Sequence, residues 1–138
     1  YTYNALALAS PDCALRNRSC SAYGHAIIDR GTTCTASPER SLFPTAKIKK
    51  YNPGYRVRVA SGVHLPVEFV GTLELRIPAK QITGNISTSA SDLVLSIDDA
   101  FYVPGLCATL VSTKALFKNH RIRTYLNDQL HIRLPRGR

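Results

Sequence analysis

The residues of this 138-residue chain that are best suited to chemistry lie in the segment Ile27-Ile28-Asp29-Arg30-Gly31-Thr32-Thr33. An apolar strand that ends in a carboxylate places that group at the border of a core, and a glycine two residues later permits a sharp turn. Of the six aspartates, at positions 12, 29, 92, 98, 99 and 128, only Asp29 has such a glycine. On its spacing alone the segment is an ordinary turn, so neighbouring motifs must decide its role.

Other catalytic and metal-binding patterns are absent from the sequence, which has no GxSxG, HExxH, CxxC or glycine-rich phosphate loop. We therefore expect no metal and no cofactor. The cysteines stand at 13, 20, 34 and 107, too few for a disulfide scaffold of this length, so we expect free thiols in the reducing cytoplasm. Cys34 is a possible nucleophile, but we expect a buried structural thiol. The histidines, at 25, 64, 120 and 131, form no spacing pattern.

Composition describes an ordinary globular domain, with 44% hydrophobic and 20% charged residues. No apolar run approaches the ~18 residues of a membrane helix, so no membrane partner is expected. The net charge of +9 favours acidic partners such as nucleic acid. Because the basic residues are spread along the chain, we expect a solvated basic surface with non-specific nucleic-acid binding at most. A modest concentration occurs only near the end, at Lys118, Arg121, Arg123, Arg133, Arg136 and Arg138.

Short runs of β-branched and aromatic residues between Gly, Pro, Ser and Asn predict a mostly β domain. We expect a loose lead-in over 1–22, a domain over 23–134 and a basic tail over 135–138. The predicted strands are 25–29, 55–59, 63–70, 72–77, 93–97, 100–103, 121–125 and 129–134. Residues 83–92 are predicted to form a loop, and Asn127-Asp128 a hairpin turn. The one predicted helix covers 109–117, with Thr109 as its hydroxyl cap.

Five motifs in order resemble the protease domain of copia-type retrotransposon Gag-Pol polyproteins. They span residues 26–117, about two-thirds of the chain. The motifs are the Asp29 segment, Ser41-Leu42-Phe43, Val59-Ala60-Ser61-Gly62, Gly71-Thr72-Leu73-Glu74-Leu75, and the run from Tyr102-Val103-Pro104-Gly105-Leu106 to Leu110-Val111-Ser112. The resemblance implies a retropepsin-like closed β barrel with a flap hairpin and one short C-terminal helix.

The resemblance also implies roles for particular residues. Asp29 corresponds to the catalytic aspartate of an aspartic endopeptidase, and Arg30, Gly31, Thr32 and Thr33 correspond to its active-site loop. Val103 and Gly105 correspond to a second hydrophobic-Gly element that packs under this loop. The flap candidates are Val63, His64, Leu65 and Pro66.

Hydrolysis by aspartates requires two carboxylates that share one proton, and this sequence offers one such group. The expected enzyme is therefore a two-fold homodimer that cleaves a peptide or polyprotein substrate. The sequence departs from the family at Arg30, where a Ser or Thr hydroxyl links the two loops, and at Thr109, which replaces Asn. Arg30 leaves a second hypothesis open, namely a degenerate retropepsin fold without turnover that serves as a dimerisation or peptide-binding module. A basic nucleic-acid-binding domain is the third hypothesis.

Overall fold

The computed structural model of the chain describes residues 2–5, 26–51, 53–77, 93–126 and 130–133. Eleven strands and one α-helix occupy these residues, so the predicted mostly β class is confirmed. The strands of the first half are β1 (Thr2–Ala5), β2 (Ala26–Asp29), β3 (Ala36–Ser37), β4 (Ile48–Tyr51), β5 (Arg56–Val59) and β6 (His64–Pro66). Those of the second half are β7 (Phe69–Ile77), β8 (Leu93–Tyr102), β9 (Thr109–Ser112), β10 (Arg123–Leu126) and β11 (Leu130–Arg133). The helix is α1 (Thr113–His120), and 3-10 turns cover Arg40–Leu42 and Thr45–Lys47.

The largest sheet has six strands in the order β2-β9-β3-β8-β7-β4. Strand β9 lies between β2, to which it is parallel, and β3, to which it is antiparallel. The pair β7 and β8 forms the long antiparallel ladder of this sheet. A three-stranded sheet has the order β1-β5-β6, and β10 pairs with β11.

The predicted closed barrel is not formed by the described strands, because the six-stranded sheet ends at β2 on one side and at β4 on the other. Closure needs an unbroken circle of strand pairs. After β4 the chain passes through Pro53, which has no N–H to donate, and Gly54, whose φ of +73° turns the backbone. Strand β5 therefore leaves the main sheet and pairs with β1.

Two clusters of buried side chains form the core. The first joins Val57 and Val59 of β5 to Phe101, Val103 and Leu110, so the small sheet packs on the large one. The alternation of exposed and buried residues along β5, with Arg56 and Arg58 outside, follows the predicted period of two. The second cluster lies beneath α1 and contains Phe43, Phe69, Leu73, Ile97 and Leu116.

The predicted helix over 109–117 is wrong at both ends. Residues Thr109–Ser112 form β9, and all four are buried between two neighbouring strands. Pairing on both sides satisfies the backbone of this β-branched segment, and this tertiary context overrides the helical spacing. The helix begins at Thr113, ends at His120 and is capped by Ser112, whereas Thr109 was the predicted cap.

Other predictions differ in detail from the described residues. The predicted strands 93–97 and 100–103 are one strand, β8, which bends at Asp99, where φ is +55°. Within the predicted lead-in, β1 forms a parallel pair with β5 that the sequence did not indicate. The predicted strands 121–125 and 129–134 are seen as β10 and β11. The predicted 83–92 loop, the 127–128 turn and the 135–138 tail lie outside the described residues. Within those that are described, no helix has the length and apolar character to cross a membrane.

Candidate active site

Asp29 is the last residue of β2 and lies opposite Ser112 in the parallel ladder with β9. Its carboxylate is half-buried, and Oδ1 accepts a hydrogen bond of 2.7 Å from the backbone N–H of Gly31. The hydroxyl of Thr32 donates to the carbonyl oxygen of Asp29 at 3.3 Å. No hydrogen bond to Oδ2 is found among the described residues. The loop thus fixes the carboxyl group through one of its oxygens.

Ser112 anchors this loop through hydrogen bonds to Thr32 and Thr35. Its hydroxyl donates to the carbonyl oxygen of Thr32 at 2.8 Å, and its backbone N–H donates to Oγ1 of Thr35 at 3.2 Å. The same hydroxyl accepts from the N–H of Ala115 at 3.1 Å and so caps α1. Thr32, Thr35 and Ser112 are all buried, so these bonds are shielded from water. A single side chain therefore couples the Asp29 loop to the start of the helix.

Ser112 belongs to the motif Leu110-Val111-Ser112, but its sequence context predicted no structural role for it. A serine just before a helix commonly caps it, because its hydroxyl oxygen accepts a hydrogen bond from the backbone N–H three residues later. The predicted helix began too early, so this signal pointed to Thr109 and was missed at Ser112. The bond from Ser112 to Thr32 joins residues 80 positions apart, which no local pattern indicates.

Thr109, where the family motif has Asn, is accommodated in the core. Its hydroxyl and that of Ser37 lie 2.7 Å apart and share a hydrogen bond, and both residues are buried. The backbone N–H of Glu39 also donates to the Ser37 hydroxyl, at 3.1 Å. Thr109 therefore links β9 to β3 without leaving a buried polar atom unsatisfied.

The remaining loop residues differ in exposure. Arg30 and Thr33 are exposed, and Gly31 is half-buried. The Arg30 side chain stands in solvent beside the aspartate, and it has no carboxylate within ion-pair distance among the described residues. The loop therefore presents a positive charge at the surface beside Asp29.

The second hydrophobic-Gly element lies against the flap candidates. Val103 is fully buried, and its N–H donates to the carbonyl oxygen of Ser37 at 2.9 Å. Gly105 is exposed, and the three atoms nearest to a Cβ built there all belong to Leu65, the closest at 3.1 Å. The structure thus places Gly105 next to Leu65 of β6, while Val103 belongs to the same core cluster as Cys34.

The flap candidates form part of a hairpin. Strands β5 and β6 are antiparallel, and the connecting turn is closed by the N–H of Val59, which donates to the carbonyl oxygen of Val63 at 3.0 Å. Gly62 takes a φ of +86° in this turn. Leu65 packs partly against the first core cluster, while Val63, His64 and Pro66 are exposed. A hairpin with an exposed tip therefore lies where the flap was predicted.

Cys34 is a structural thiol, as predicted. Its side chain is 4% exposed and belongs to the first core cluster. Burial raises the pKa of the thiol from 9.0 to about 12, so at neutral pH it is protonated and not nucleophilic. No group of three or more His, Cys, Asp or Glu residues in the described part of the chain is placed to hold a metal ion.

Comparison with known proteins adds no relative. No family model, curated protein or solved structure matches this chain significantly. The similarity to copia-type proteases therefore stays a resemblance carried by the motifs of the sequence.

Proposed function

We propose that the chain is one subunit of a retropepsin-like aspartic endopeptidase, in which Asp29 of each of two identical chains contributes one carboxylate. The observation that carries this proposal is the geometry of the Asp29 loop. The Asp29 carboxylate lies at the end of β2 and accepts a hydrogen bond from the Gly31 N–H. The Ser112 hydroxyl holds the same loop by donating to the carbonyl oxygen of Thr32. Such fixed positioning is what two carboxylates need in order to share a proton.

The other aspartates of the described residues are engaged in different contacts. Asp98 accepts a bond of 2.8 Å from the Thr72 hydroxyl, and Asp99 forms an ion pair of 2.9 Å with Lys49. Both belong to β8 and lack a following glycine turn. They are therefore poor candidates for a second carboxylate from the same chain, which favours a partner that supplies a second Asp29.

The proposed reaction follows from the shared proton. The ionised carboxylate takes a proton from a water molecule, whose oxygen then bonds to the carbonyl carbon of the peptide. The protonated carboxyl group donates its proton to the carbonyl oxygen. The carboxyl that took the water proton then donates it to the peptide nitrogen, the other carboxylate takes a proton from a hydroxyl of the tetrahedral intermediate, and the carbon–nitrogen bond breaks. No group other than the two aspartates and water is needed.

The second candidate function is a degenerate retropepsin fold that dimerises or binds peptides without turnover. The exposed Arg30 favours it, because two guanidinium groups at a two-fold axis repel each other and cannot replace a short hydroxyl link. A cation beside the carboxylates also favours their ionised forms and opposes the sharing of a proton.

The experiment that tests the protease is cleavage of a mixed peptide library at mildly acid pH, read by mass spectrometry. The wild-type chain, Asp29→Asn and the matched control Asp99→Asn are compared, and the mass of each protein in solution is measured. We expect cleavage by the wild type and by Asp99→Asn, and none by Asp29→Asn. Cleavage that survives in Asp29→Asn overturns the aspartic mechanism. A dimeric wild type that cleaves no peptide supports the non-catalytic module instead.

A further inference from the structure

A cleft lined by lysines lies beside α1, and Thr33 and Cys34, which follow the Asp29 turn, also line it. It has a volume of about 370 Å³ and opens to solvent between β4, the bend of β8 and one face of α1. Its charged lining consists of Lys49, Lys50, Lys114, Lys118 and Asp99. The two lysines of the helix are four residues apart and thus lie on the same face, one turn from each other.

The positive charges of this cleft are mostly uncompensated. Asp99 is the one acid of the lining, and its Oδ1 is bound to the Nζ of Lys49 at 2.9 Å. In the described part of the chain, no carboxylate lies within ion-pair distance of Lys50, Lys114 or Lys118. Three ammonium groups on the walls of a concave site focus a positive potential into it. The cleft therefore suits an anion with more than one charge.

A second group of cations continues from the end of α1. Phe117 is 41% exposed, and the guanidinium carbons of Arg121 and Arg123 lie 5.5 and 5.6 Å from its ring centroid. Arg123 also lies directly opposite Arg133 in the β10–β11 ladder, and both are exposed. Like charges on directly opposite residues destabilise a pair of strands, so an anion bound near Arg123 and Arg133 would stabilise the β10–β11 ladder.

Aromatic and planar groups accompany these charges. Tyr125 is 44% exposed and stands two residues from Arg123, on the same face of β10. Because Lys114 and Phe117 are three residues apart in α1, they are neighbours on its surface, and the arginine group therefore adjoins the lysine cleft to form one basic strip. Ammonium groups suit phosphates, while guanidinium planes and an exposed ring suit the faces of nucleobases.

We propose that this basic strip binds single-stranded nucleic acid, with the phosphates in the lysine cleft and bases against Tyr125 and the arginines. The faces of the bases are accessible in a single strand but stacked on one another within a duplex, so this surface favours a single strand. An acidic polypeptide would use the lysines and the guanidinium groups but would have no use for the exposed ring of Tyr125. The binding is independent of sequence, because it is directed at phosphates and base faces. It does not depend on the proposed protease activity.

The test is fluorescence anisotropy of a labelled oligothymidylate of about 20 nucleotides with the whole chain, measured over a series of salt concentrations. The double variant Lys114→Gln/Lys118→Gln is compared with Arg58→Gln/Arg76→Gln, which removes equal charge from exposed residues that do not line the cleft. Each lost phosphate contact lowers the slope of log K against log salt by about 0.7. We expect the slope of the cleft variant to fall by about 1.4 and its affinity at about 0.1 M salt to drop roughly 25-fold. The control variant should change little.

Three results would overturn the proposal. The first is a cleft variant that binds as tightly as the control variant, provided that both melt like the wild type. The second is displacement of the oligonucleotide by polyglutamate at equal charge concentration, which would assign the strip to acidic polypeptides. The third is a duplex of the same length that binds as tightly as the single strand. An Arg123→Gln variant gives an independent check, since it should weaken binding of the oligonucleotide although Arg123 does not line the cleft.

Discussion

The Ser112 hydroxyl donates a hydrogen bond of 2.8 Å to the carbonyl oxygen of Thr32 and also accepts from the N–H of Ala115 at 3.1 Å. One buried oxygen thus fastens the loop that carries Asp29 to the first turn of α1. The position of the proposed catalytic carboxylate therefore depends on a residue that lies in another strand.

Replacing Ser112 by Ala is expected to destabilise the protein by about 1–3 kcal/mol. The variant loses a helix cap and leaves the buried carbonyl of Thr32 without its donor. Ser41→Ala, at an exposed position, is the matched control and should change the free energy of unfolding by less than about 0.5 kcal/mol. Urea denaturation measures both. Equal stability of the two variants would show that the Ser112 bonds contribute nothing.

Gly71 should tolerate a side chain less well than Gly105. A Cβ at Gly71 would lie 3.1 Å from the backbone oxygen of Lys47 and 3.3 Å from the Cα of Ile48, and this backbone belongs to the β4 region of the sheet and cannot yield easily. The three atoms nearest to a Cβ at Gly105 all belong to the flexible Leu65 side chain, the closest at 3.1 Å. We expect Gly71→Ala to cost about 1–3 kcal/mol and Gly105→Ala clearly less. Thermal unfolding of both variants tests this order, and the reverse order would contradict it.

Cys34 should make the stability depend on pH in the alkaline range. Its pKa is raised to about 12 by burial, so the unfolded chain loses this proton from about pH 9 while the folded chain retains it. The unfolded state then binds fewer protons, and the free energy of unfolding falls as pH rises, by about 1.4 kcal/mol per unit from this group. Below pH 9 the group has no such effect.

The measurement for Cys34 is urea denaturation between pH 8 and the onset of alkaline unfolding, for the wild type and for Cys34→Ala. Other groups titrate in this range, so the difference between the two slopes is the quantity that matters. The wild type should lose stability with pH more steeply than Cys34→Ala. Parallel curves would contradict a buried thiol with a raised pKa.

Arg30→Ser should strengthen a homodimer. The change removes a pair of like charges beside Asp29 and supplies a short hydroxyl that can hydrogen-bond across the axis. A link of about 1.4 kcal/mol or more would tighten dimerisation tenfold or more. Arg58→Ser, an exposed residue of β5, removes the same charge elsewhere and serves as control. Sedimentation and peptide cleavage are measured side by side, and a tight, active wild-type dimer that Arg30→Ser leaves unchanged would show that Arg30 is accommodated.

Local patterns in the sequence predicted the features that depend on a few neighbouring residues. The alternation over 55–59 predicted β5, because a half-buried strand turns every second side chain inward. The apolar run before Asp29 predicted β2, and the turn glycine at 31 is the residue whose N–H binds the carboxylate. Leu110, an apolar residue of the predicted helix 109–117, is 1% exposed but lies in strand β9 and not in a helix.

Tertiary structure alone decided how these pieces meet. The segment 109–112 became a strand because β2 and β3 lie on either side of it and satisfy its backbone on both edges. Strand β5 pairs with β1 and not with the main sheet, which is therefore left open. This pairing joins two segments that no local spacing connects. Scattered lysines predicted only a solvated basic surface, yet Lys50 of β4 and Lys114 of α1 line the same cleft. Charge and periodicity are local properties of a chain, whereas the proximity of distant residues is fixed only when strands pair and cores close.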